Sequence, residues 1–310
     1  MERELWAELS KAICDVDATW RDSPRFTHRT ALVVRVHLWA ALHDRPVSWA
    51  CDPESWDART RPPALPDQST LSRRARRKGP AGFEAFLDAL AARLSGGGGG
   101  ARPAPSRLVK RFDGKALAVA SHSTDRDAAW GRGVGGLANG YKLHALWAAD
   151  DPFPLDWAVT PLDVDETRMA ARFLTRLDEG GGYVLGDTRH DSSWLYRLAA
   201  GAGHQLVAPR RRGPGGADPG GLGHRKRCRT PARVRGIEML EPPAGINPFG
   251  RALHNQRRQI ERDFGNLVSF GGGLSGLPAW VRRIPRVRRW VYAKLLINAA
   301  RIKRLRRAGA

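Results

Sequence analysis

The chain has 310 residues and 42% hydrophobic content, which is enough for a proper core in one large domain or two modest ones. It carries 52 lysines and arginines against 31 acidic residues, a formal net charge of +21. This composition excludes a solvated tail and favours a polyanionic partner, nucleic acid first, since phosphates reward clustered cations. A genomic bias towards arginine is the alternative, but residues 279–310 hold eleven basic and no acidic residues, and such a bias does not sort charge along a chain.

The cysteines and apolar runs indicate the compartment. Cys14, Cys51 and Cys228 lie far apart and form no C-x-x-C pair, so neither a disulfide framework nor a zinc knuckle is predicted. The N-terminus lacks the apolar stretch of a signal peptide. The best apolar run, residues 31–42, is too short to cross a bilayer and contains an arginine and a histidine. We therefore expect a cytoplasmic protein with no membrane partner.

Residues 1–94 predict a small helical domain that binds DNA. Apolar residues recur at helical spacing in three segments, 2–15, 29–43 and 81–94. Between them, residues 65–79 contain a turn, a Ser/Thr cap and a short basic helix, a pattern with which a DNA-contacting helix begins. An ordinary solvated helix fits this pattern equally well. We expect Arg73 and Arg74 of this segment to contact DNA.

The pattern changes after residues 95–106, where five glycines and then two prolines predict a linker. From residue 107 onward, the order strand, strand, strand, helix, strand, helix, strand predicts an α/β domain with a mixed sheet. These segments are 107–121, 141–150, 155–162, 165–177, 183–188, 192–203 and 204–210. Residues 211–227 are rich in glycine and predict a mobile basic loop. A basic helix at the C-terminus completes this domain, which we place at 107–310 and in which this helix packs on the sheet.

Two aspartates of this domain occupy positions that suggest chemistry. Asp113 lies midway in the first strand, where aspartate is disfavoured. Asp187 ends a short buried strand, and ligand sites gather at the carboxyl ends of sheet strands. Either residue alone is more often a turn former or a helix cap.

Glu261 is a third carboxylate. It lies in a predicted helix over residues 254–267 whose other charged residues are mainly arginines. A helical wheel places Leu253, Ile260, Phe264 and Leu267 on one apolar stripe. His254, Arg257 and Glu261 line the stripe beside it, whereas Asp263 falls on the opposite, solvated side. The simplest interpretation of Glu261 is a surface ion pair with Arg257, worth about a few tenths of a kcal/mol.

Taken together, the three acids suggest a metal site. Mg²⁺ binds a few carboxylates and fills its remaining positions with water and substrate phosphate. Two such ions on three carboxylates could activate an attacking oxygen and stabilise a leaving oxygen of a phosphodiester. A cation site would also relieve the repulsion among acids brought close together.

From about residue 107 to residue 307 the chain resembles the catalytic domain of bacterial insertion-sequence transposases of the DDE type, which has a ribonuclease H-like fold. The resemblance rests on four ordered segments: FDGKAL with Asp113, DAAWGRGVGGLANGYKLHAL, YVLGDTRHDS with Asp187, and RRQIERDFGNL with Glu261. Asp187 lies 74 residues after Asp113 and Glu261 lies 74 residues after Asp187. These intervals leave no room for a large insertion domain, so the chain is similar to the compact members. LPDQSTLSRRAR also resembles the N-terminal region of these enzymes.

The resemblance implies that Asp113, Asp187 and Glu261 form the metal-binding triad, with two Mg²⁺ or Mn²⁺ ions. It implies hydrolysis at element ends and attack of the freed 3′-hydroxyl on target DNA. The implied partners are double-stranded DNA, as terminal inverted repeats and target, and further copies of the chain in a dimer or higher oligomer on DNA. It also implies a bacterial, nucleoid-associated location.

Many relatives carry a Tyr, Arg, Glu, Lys signature around the final acid. Arg257 and Glu261 fit this signature, but His254 stands at the tyrosine position and Val268 at the lysine position. We expect DNA contacts from residues near the final acid and near the C-terminus: His254, Arg257, Arg258, Arg262, Arg282, Arg283, Arg288 and Arg289. Two alternatives remain open. One is an inactive or domesticated transposase that only binds DNA, and the other is a basic scaffolding protein with incidental acids.

Overall fold

The computed structural model describes residues 2–77, 79–95, 108–120, 122–133, 135–148, 151–177, 180–211, 230–243, 245–274 and 276–309. Apart from Ser95 and Arg211, the predicted linker (95–106) and basic loop (211–227) lie outside these residues. The chain divides into two compact units. A helical unit comprises Met1–Gly100 and Asn266–Ala310, and a sheet unit comprises Ala101–Gly265.

The N-terminal part of the helical unit is built from helices, as predicted. These are α1 (Glu2–Asp17), α2 (Thr30–Leu42), α3 (Val47–Ala50), α4 (Gln68–Arg76) and α5 (Phe83–Leu94), with a 3₁₀ turn at Pro53–Ser55. Helix α2 is apolar almost all round and nearly all of its residues are buried, so the other helices pack around it. Helix α4 begins at a cap residue that is not Ser or Thr, since the Asp67 carboxylate accepts the Thr70 backbone N–H.

A six-stranded mixed sheet forms the centre of the sheet unit. Its strands are β1 (Val109–Ala118), β2 (Ala129–Gly133), β3 (Gly136–Ala148), β4 (Asp156–Pro161), β5 (Gly182–Leu185) and β6 (His204–Val207). The order is β2-β3-β1-β5-β6, and β4 also pairs with β3. Strands β1 to β4 pair antiparallel, whereas β5 runs parallel to β1 and β6 runs parallel to β5. Strand β2 is absent from the predicted elements, because its segment is rich in glycine and therefore weak as a strand.

Helices cover both faces of this sheet. They are α6 (Glu166–Leu174), α7 (Ser193–Gly201), α8 (Pro231–Glu238), α9 (Pro248–Asn255) and α10 (Arg258–Val268). One core cluster joins Phe112 of β1 and Val184 of β5 to apolar residues of α6 and α7. A second cluster joins Leu185 of β5 to Leu253 of α9 on the other side of the sheet. This arrangement confirms the predicted class, an α/β mixed sheet flanked by helices and preceded by a helical region.

The single helix predicted over residues 254–267 is two helices in the structure. Helix α9 ends at Asn255 and α10 begins at Arg258. The Gln256 and Arg257 N–H groups donate to the carbonyls of Leu253 and His254, three residues back, which tightens and ends α9. His254 therefore lies on α9 and Glu261 on α10, so these residues do not share one helical face.

Helix α11 (Ile284–Ala308) packs with the helical unit, against α1, α2 and α5, whereas the sequence analysis assigned it to the sheet domain and packed it on the sheet. The physical reason is its continuous buried middle, residues 290–300, which needs apolar partners on every side. Its lysine Lys294 is also buried and donates to the Ala41 carbonyl and the Asp44 carboxylate. In the described part of the chain, no helix combines the length and the apolar character needed to cross a membrane.

Candidate active site

The strand register brings Asp113 and Asp187 to equivalent positions. In the parallel pair of β1 and β5, Arg111 lies opposite Leu185. Asp113 follows two residues later within β1, and Asp187 follows two residues after Leu185, at the start of the turn beyond β5. The 74-residue interval between the two acids equals the offset of this register. Because side chains alternate along a strand, Asp113 shares its face of β1 with Val109, which packs against the cluster that contains Leu253 of α9.

Asp187 is held by the turn that it starts. Its carboxylate accepts the Arg189 backbone N–H at 2.9 Å, and its Oδ1 lies 2.7 Å from Nδ1 of the buried His190. Burial acts to raise the pKa of Asp187. The hydrogen bond and charge of His190, the Arg189 N–H and Arg257 outweigh burial and lower this pKa to about 2. These interactions therefore favour the ionised form of Asp187.

The His190 ring occupies the space beside Gly186, the residue between β5 and Asp187. A Cβ on Gly186 would meet ring and side-chain carbons of His190 at 2.8 and 2.9 Å, closer than side chains approach. Phe112 contacts the other side of this ring at 4.3 Å between centroids. This role of His190 was not predicted, although the spacing of Asp187 and His190, three apart at a strand end, is that of a capping box.

The pKa of Asp113 is shifted in the opposite direction, above its ordinary value. Burial raises the pKa of its carboxyl, and the charges of Asp187 and Glu166 add to this rise, against the Gly114 N–H and Arg257. The side chain is one-fifth exposed, so solvent reaches it. The two aspartates thus repel each other, and a cation placed beside them would relieve that repulsion.

In this structure the cation beside Asp113 is Arg257. Its Nη2 donates to Asp113 Oδ2 at 3.1 Å, and its Nη1 lies 3.7 Å from Glu261 Oε1. One guanidinium therefore contacts both carboxylates. The predicted pair of Arg257 and Glu261 is present, but Glu261 is 66% exposed and contacts Arg257 rather than the aspartates.

Helix α10 is fixed to the sheet by a buried arginine that sequence analysis missed. Arg111, two residues before Asp113, donates to the Ala148 and Gln256 carbonyls, and its Nη2 lies 3.3 Å from Asp263 Oδ2. The prediction that Asp263 is solvated is wrong, since it pairs with this buried cation. The available signal was a basic residue in an otherwise buried strand, which requires a partner.

A fourth acid, also missed, lies near Asp113. Glu166 begins α6 and is held between two cations, Lys142 at 2.9 Å and Arg189 at 3.2 Å. Its Oε1 lies 3.1 Å from where a Cβ on Gly114 would be. Glu166 is therefore neutralised by neighbouring side chains, and we assign it to the support of the site.

The residues near Glu261 that we expected to contact DNA fall into two groups. Arg258 and Arg262 on α10 are exposed. Arg257 is engaged by the carboxylates described above. His254 is half-buried, and although burial lowers its pKa, a hydrogen bond with the Gly186 backbone opposes this shift. His254 thus contacts the backbone that leads to Asp187.

The expected DNA-contacting arginines of the helical unit are also of two kinds. Arg73, Arg282 and Arg283 are exposed. Arg74 is used for packing, since it donates to the His28 carbonyl and the Thr30 hydroxyl and lies over the Phe26 ring. Two others have partners within the unit: Arg288 pairs with Glu84 at 2.7 Å, and the half-buried Arg289 donates to the Ala75 carbonyl.

The donor set fits a divalent cation in part. Among the described residues, no group of three or more His, Cys, Asp or Glu side chains is placed to hold a metal. Asp113 and Asp187 nevertheless supply two neighbouring, partly exposed carboxylates, which are the oxygen ligands that Mg²⁺ and Mn²⁺ prefer. Glu261 is linked to Asp113 through Arg257, which contacts both carboxylates.

The family comparison agrees with this arrangement. The family model of the transposase DDE domain matches residues 106–277, more than half of the chain. Searches of curated proteins and of solved structures gave no match. The matched segment contains the sheet, both aspartates and Glu261. The chain therefore belongs to the DDE transposase family and has the ribonuclease H-like mixed sheet of that family.

Proposed function

We propose that this protein cleaves DNA at the ends of a mobile element and joins the freed 3′-hydroxyl to target DNA. Asp113, Asp187 and Glu261 would hold the divalent cations, Mg²⁺ or Mn²⁺, that this reaction uses. The observation that carries the proposal is the parallel pairing of β1 with β5, since Asp113 lies two residues after the last paired residue of β1 and Asp187 two residues after that of β5. Family membership supports the reaction class.

Each residue of the site has a distinct task in this proposal. The pKa of Asp187 is lowered by His190, so its carboxylate is ready to accept a cation, whereas the pKa of Asp113 is raised by burial and by the charge of Asp187, and a bound cation would oppose that rise. Bound cations would supply activation of the attacking oxygen and stabilisation of the leaving oxygen. Arg257 neutralises Asp113 and Glu261 before cations bind, and on leaving them it is free to contact a DNA phosphate.

The partners follow from charge and family. We propose double-stranded DNA, as element ends and target, bound by a dimer or higher oligomer. Arg258 and Arg262 are exposed on the helix that carries Glu261. Such residues suit contacts to phosphates, which position DNA without reading its sequence. We infer that they take over the contact that Val268 cannot make in place of lysine.

One observation favours a second candidate, a transposase-derived protein that binds DNA without cutting it. Glu261 is mostly exposed and paired with Arg257, and the described residues contain no group of three ligands. If Arg257 never leaves, the triad does not assemble. DNA binding by the surface arginines would then persist without chemistry.

The test is cleavage of a DNA fragment that carries the gene with its natural flanks, in the presence of Mg²⁺. Wild-type protein should cut at fixed positions on both flanks and leave 3′-hydroxyl ends. Asp113→Asn should lose this cleavage while it retains DNA binding, and Asp163→Asn, an exposed aspartate of the same unit, should cut like wild type. Binding without cutting by the wild type would favour the second candidate. Cutting by Asp113→Asn equal to that by wild type would exclude the triad.

A further inference from the structure

The helical unit contains a cavity of about 470 Å³ lined by residues of α4, of the segment before α11 and of α11 itself. Residues of α2 and of the segment that leads into α3 also line it. The lining includes apolar side chains such as Leu71 and Val281 and two tryptophans, Trp280 and Trp290. This volume lies within the range of small-molecule sites and is far larger than a single inorganic anion needs. The lining therefore suits a ligand with a flat, apolar part.

The same lining is strongly basic. None of the described lining residues is acidic. Five of them are arginines: Arg45, Arg76, Arg283, Arg286 and Arg289. The nearby Glu84 pairs with Arg288, which is outside the lining. The cavity thus carries several positive charges with no carboxylate of its own, so an anionic group would be attracted to it.

The electrostatics of Arg289 support this conclusion. Burial lowers the pKa of its guanidinium, and the positive charges of Arg286, Arg76 and Arg288 lower it further, although Glu84 acts in the opposite direction. Like charges are therefore held together here against their repulsion. A phosphate among them would relieve that repulsion in the way that counterions do on folded basic surfaces.

A ligand that combines a flat apolar ring with negative charge is a nucleotide. Trp280 is 44% exposed beside the arginines, so a base can reach its ring. Base stacking on aromatic rings together with arginine contacts to phosphates is how proteins hold single strands. A base inside a duplex cannot enter such a cavity unless it leaves the stack.

We propose that this cavity binds one unpaired nucleotide of a DNA strand, with the base against Trp280 and the flanking phosphates on the arginines. The proposal rests on the proposed function only for its choice of DNA as the partner. It gives the protein a second DNA-binding site besides the carboxylates. This site lies in the helical unit and binds a strand that is locally unpaired.

The experiment uses the full chain with EDTA present, so that no metal-dependent step contributes. A single-stranded oligonucleotide with 2-aminopurine at one position reports stacking by loss of its fluorescence, and its affinity is measured in the same titration. Trp280→Leu should abolish most of the quenching and weaken binding about tenfold. Arg286→Ala should weaken binding and reduce the slope of log affinity against log salt by about 0.7.

Two matched variants serve as controls. Arg21→Ala removes an exposed arginine of the same unit outside the cavity, and Trp130→Leu removes an exposed tryptophan of the sheet unit. Both should bind and quench like wild type. Circular dichroism of each variant verifies that it is folded, and Arg286, being exposed, can be replaced without a change in packing.

Three results would overturn the proposal. The first is quenching by Trp280→Leu equal to that by wild type. The second is a loss of affinity for intact duplex, in Trp280→Leu or Arg286→Ala, as large as the loss for single strand. The third is displacement of the oligonucleotide by an acidic peptide at a lower concentration than by unlabelled single strand. The last result would indicate a protein partner. Because the assay has no metal and no cleavage, a protein that fails to cut DNA can still pass it, and a protein that cuts DNA can still fail it.

Discussion

At the scale of single residues, the candidate site consists of acids in unlike environments. Asp187 is held ionised by His190, whereas burial and Asp187 hold back the ionisation of Asp113. Both positions could be singled out from the sequence because Asp113 lies within a predicted strand and Asp187 ends one. It could not find the cation between Asp113 and Glu261, since the contact of Arg257 with Asp113 joins residues 144 apart in sequence.

His190→Leu should raise the pKa of Asp187. The wild-type value is about 2 against an ordinary value of 3.8, so the interaction stabilises the fold fully above about pH 4 and ceases to do so as pH falls towards 2. Without His190, the pKa should rise by about 1 to 2 units. Carbon-detected NMR titration of ¹³C-labelled aspartate measures this. An unchanged pKa would show that the backbone N–H of Arg189, not His190, controls Asp187.

Arg257→Gln should increase the affinity for Mn²⁺. The guanidinium contacts the Asp113 and Glu261 carboxylates that we propose as metal ligands. It would therefore compete with the metal, and its removal should tighten Mn²⁺ binding about tenfold. Calorimetric titration of the DNA-free protein measures this directly. Arg258→Gln, which changes the neighbouring exposed arginine, is the control and should leave Mn²⁺ affinity as in wild type. Weaker Mn²⁺ binding by Arg257→Gln would mean that Arg257 supports the ligands instead of competing with a cation.

At the scale of elements, the sheet and most helices were predictable because apolar periodicity is local. The break between α9 and α10 was not, since residues 255–257 contain neither glycine nor proline and the apolar stripe continues through Ile260 and Phe264. What positions α10 in the sheet unit is the tertiary pair of Arg111 and Asp263. A helical wheel cannot show that a nominally solvent-facing aspartate has a buried partner.

Asp263→Ala should destabilise the sheet unit. It removes the carboxylate 3.3 Å from the buried Arg111, and loss of one partner of such a pair typically costs about 3 kcal/mol. The double variant Arg111→Met/Asp263→Leu should recover most of this loss. Urea unfolding measures both free energies, with Asp163→Ala as a surface control expected within about 0.5 kcal/mol of wild type. A double variant as unstable as the single one would contradict this account of α10.

At the scale of the whole molecule, net charge predicted the partner class but not where its cations act. Several basic residues of α11 pair within the helical unit: Arg304 with Glu4, Arg307 with Glu8, and Lys303 with the Arg93 carbonyl. These pairs and the buried middle of the helix explain why the C-terminus belongs to the N-terminal unit. Composition could show the excess of charge, but only the fold shows where each cation lies and what it contacts.

A chain truncated after Gly276 should lose the helical unit while the sheet unit stays folded. The deletion removes α11, whose residues 290–300 are buried in that unit. Hydrogen exchange should show fast exchange throughout α1, α2 and α5 and unchanged protection of β1 and β3. Continued protection of α2 in the truncated chain would contradict the observed division into units.

The central claim is that Asp113, Asp187 and Glu261 bind the divalent cations of a DNA-cutting site. Electron paramagnetic resonance of Mn²⁺ tests it most directly, because the spectrum separates free from bound ion without any need for turnover. We predict that wild-type protein binds Mn²⁺ and that Asp113→Asn and Asp187→Asn each reduce its affinity at least about tenfold, while Asp163→Asn does not. Undiminished Mn²⁺ binding in both aspartate variants would contradict the claim.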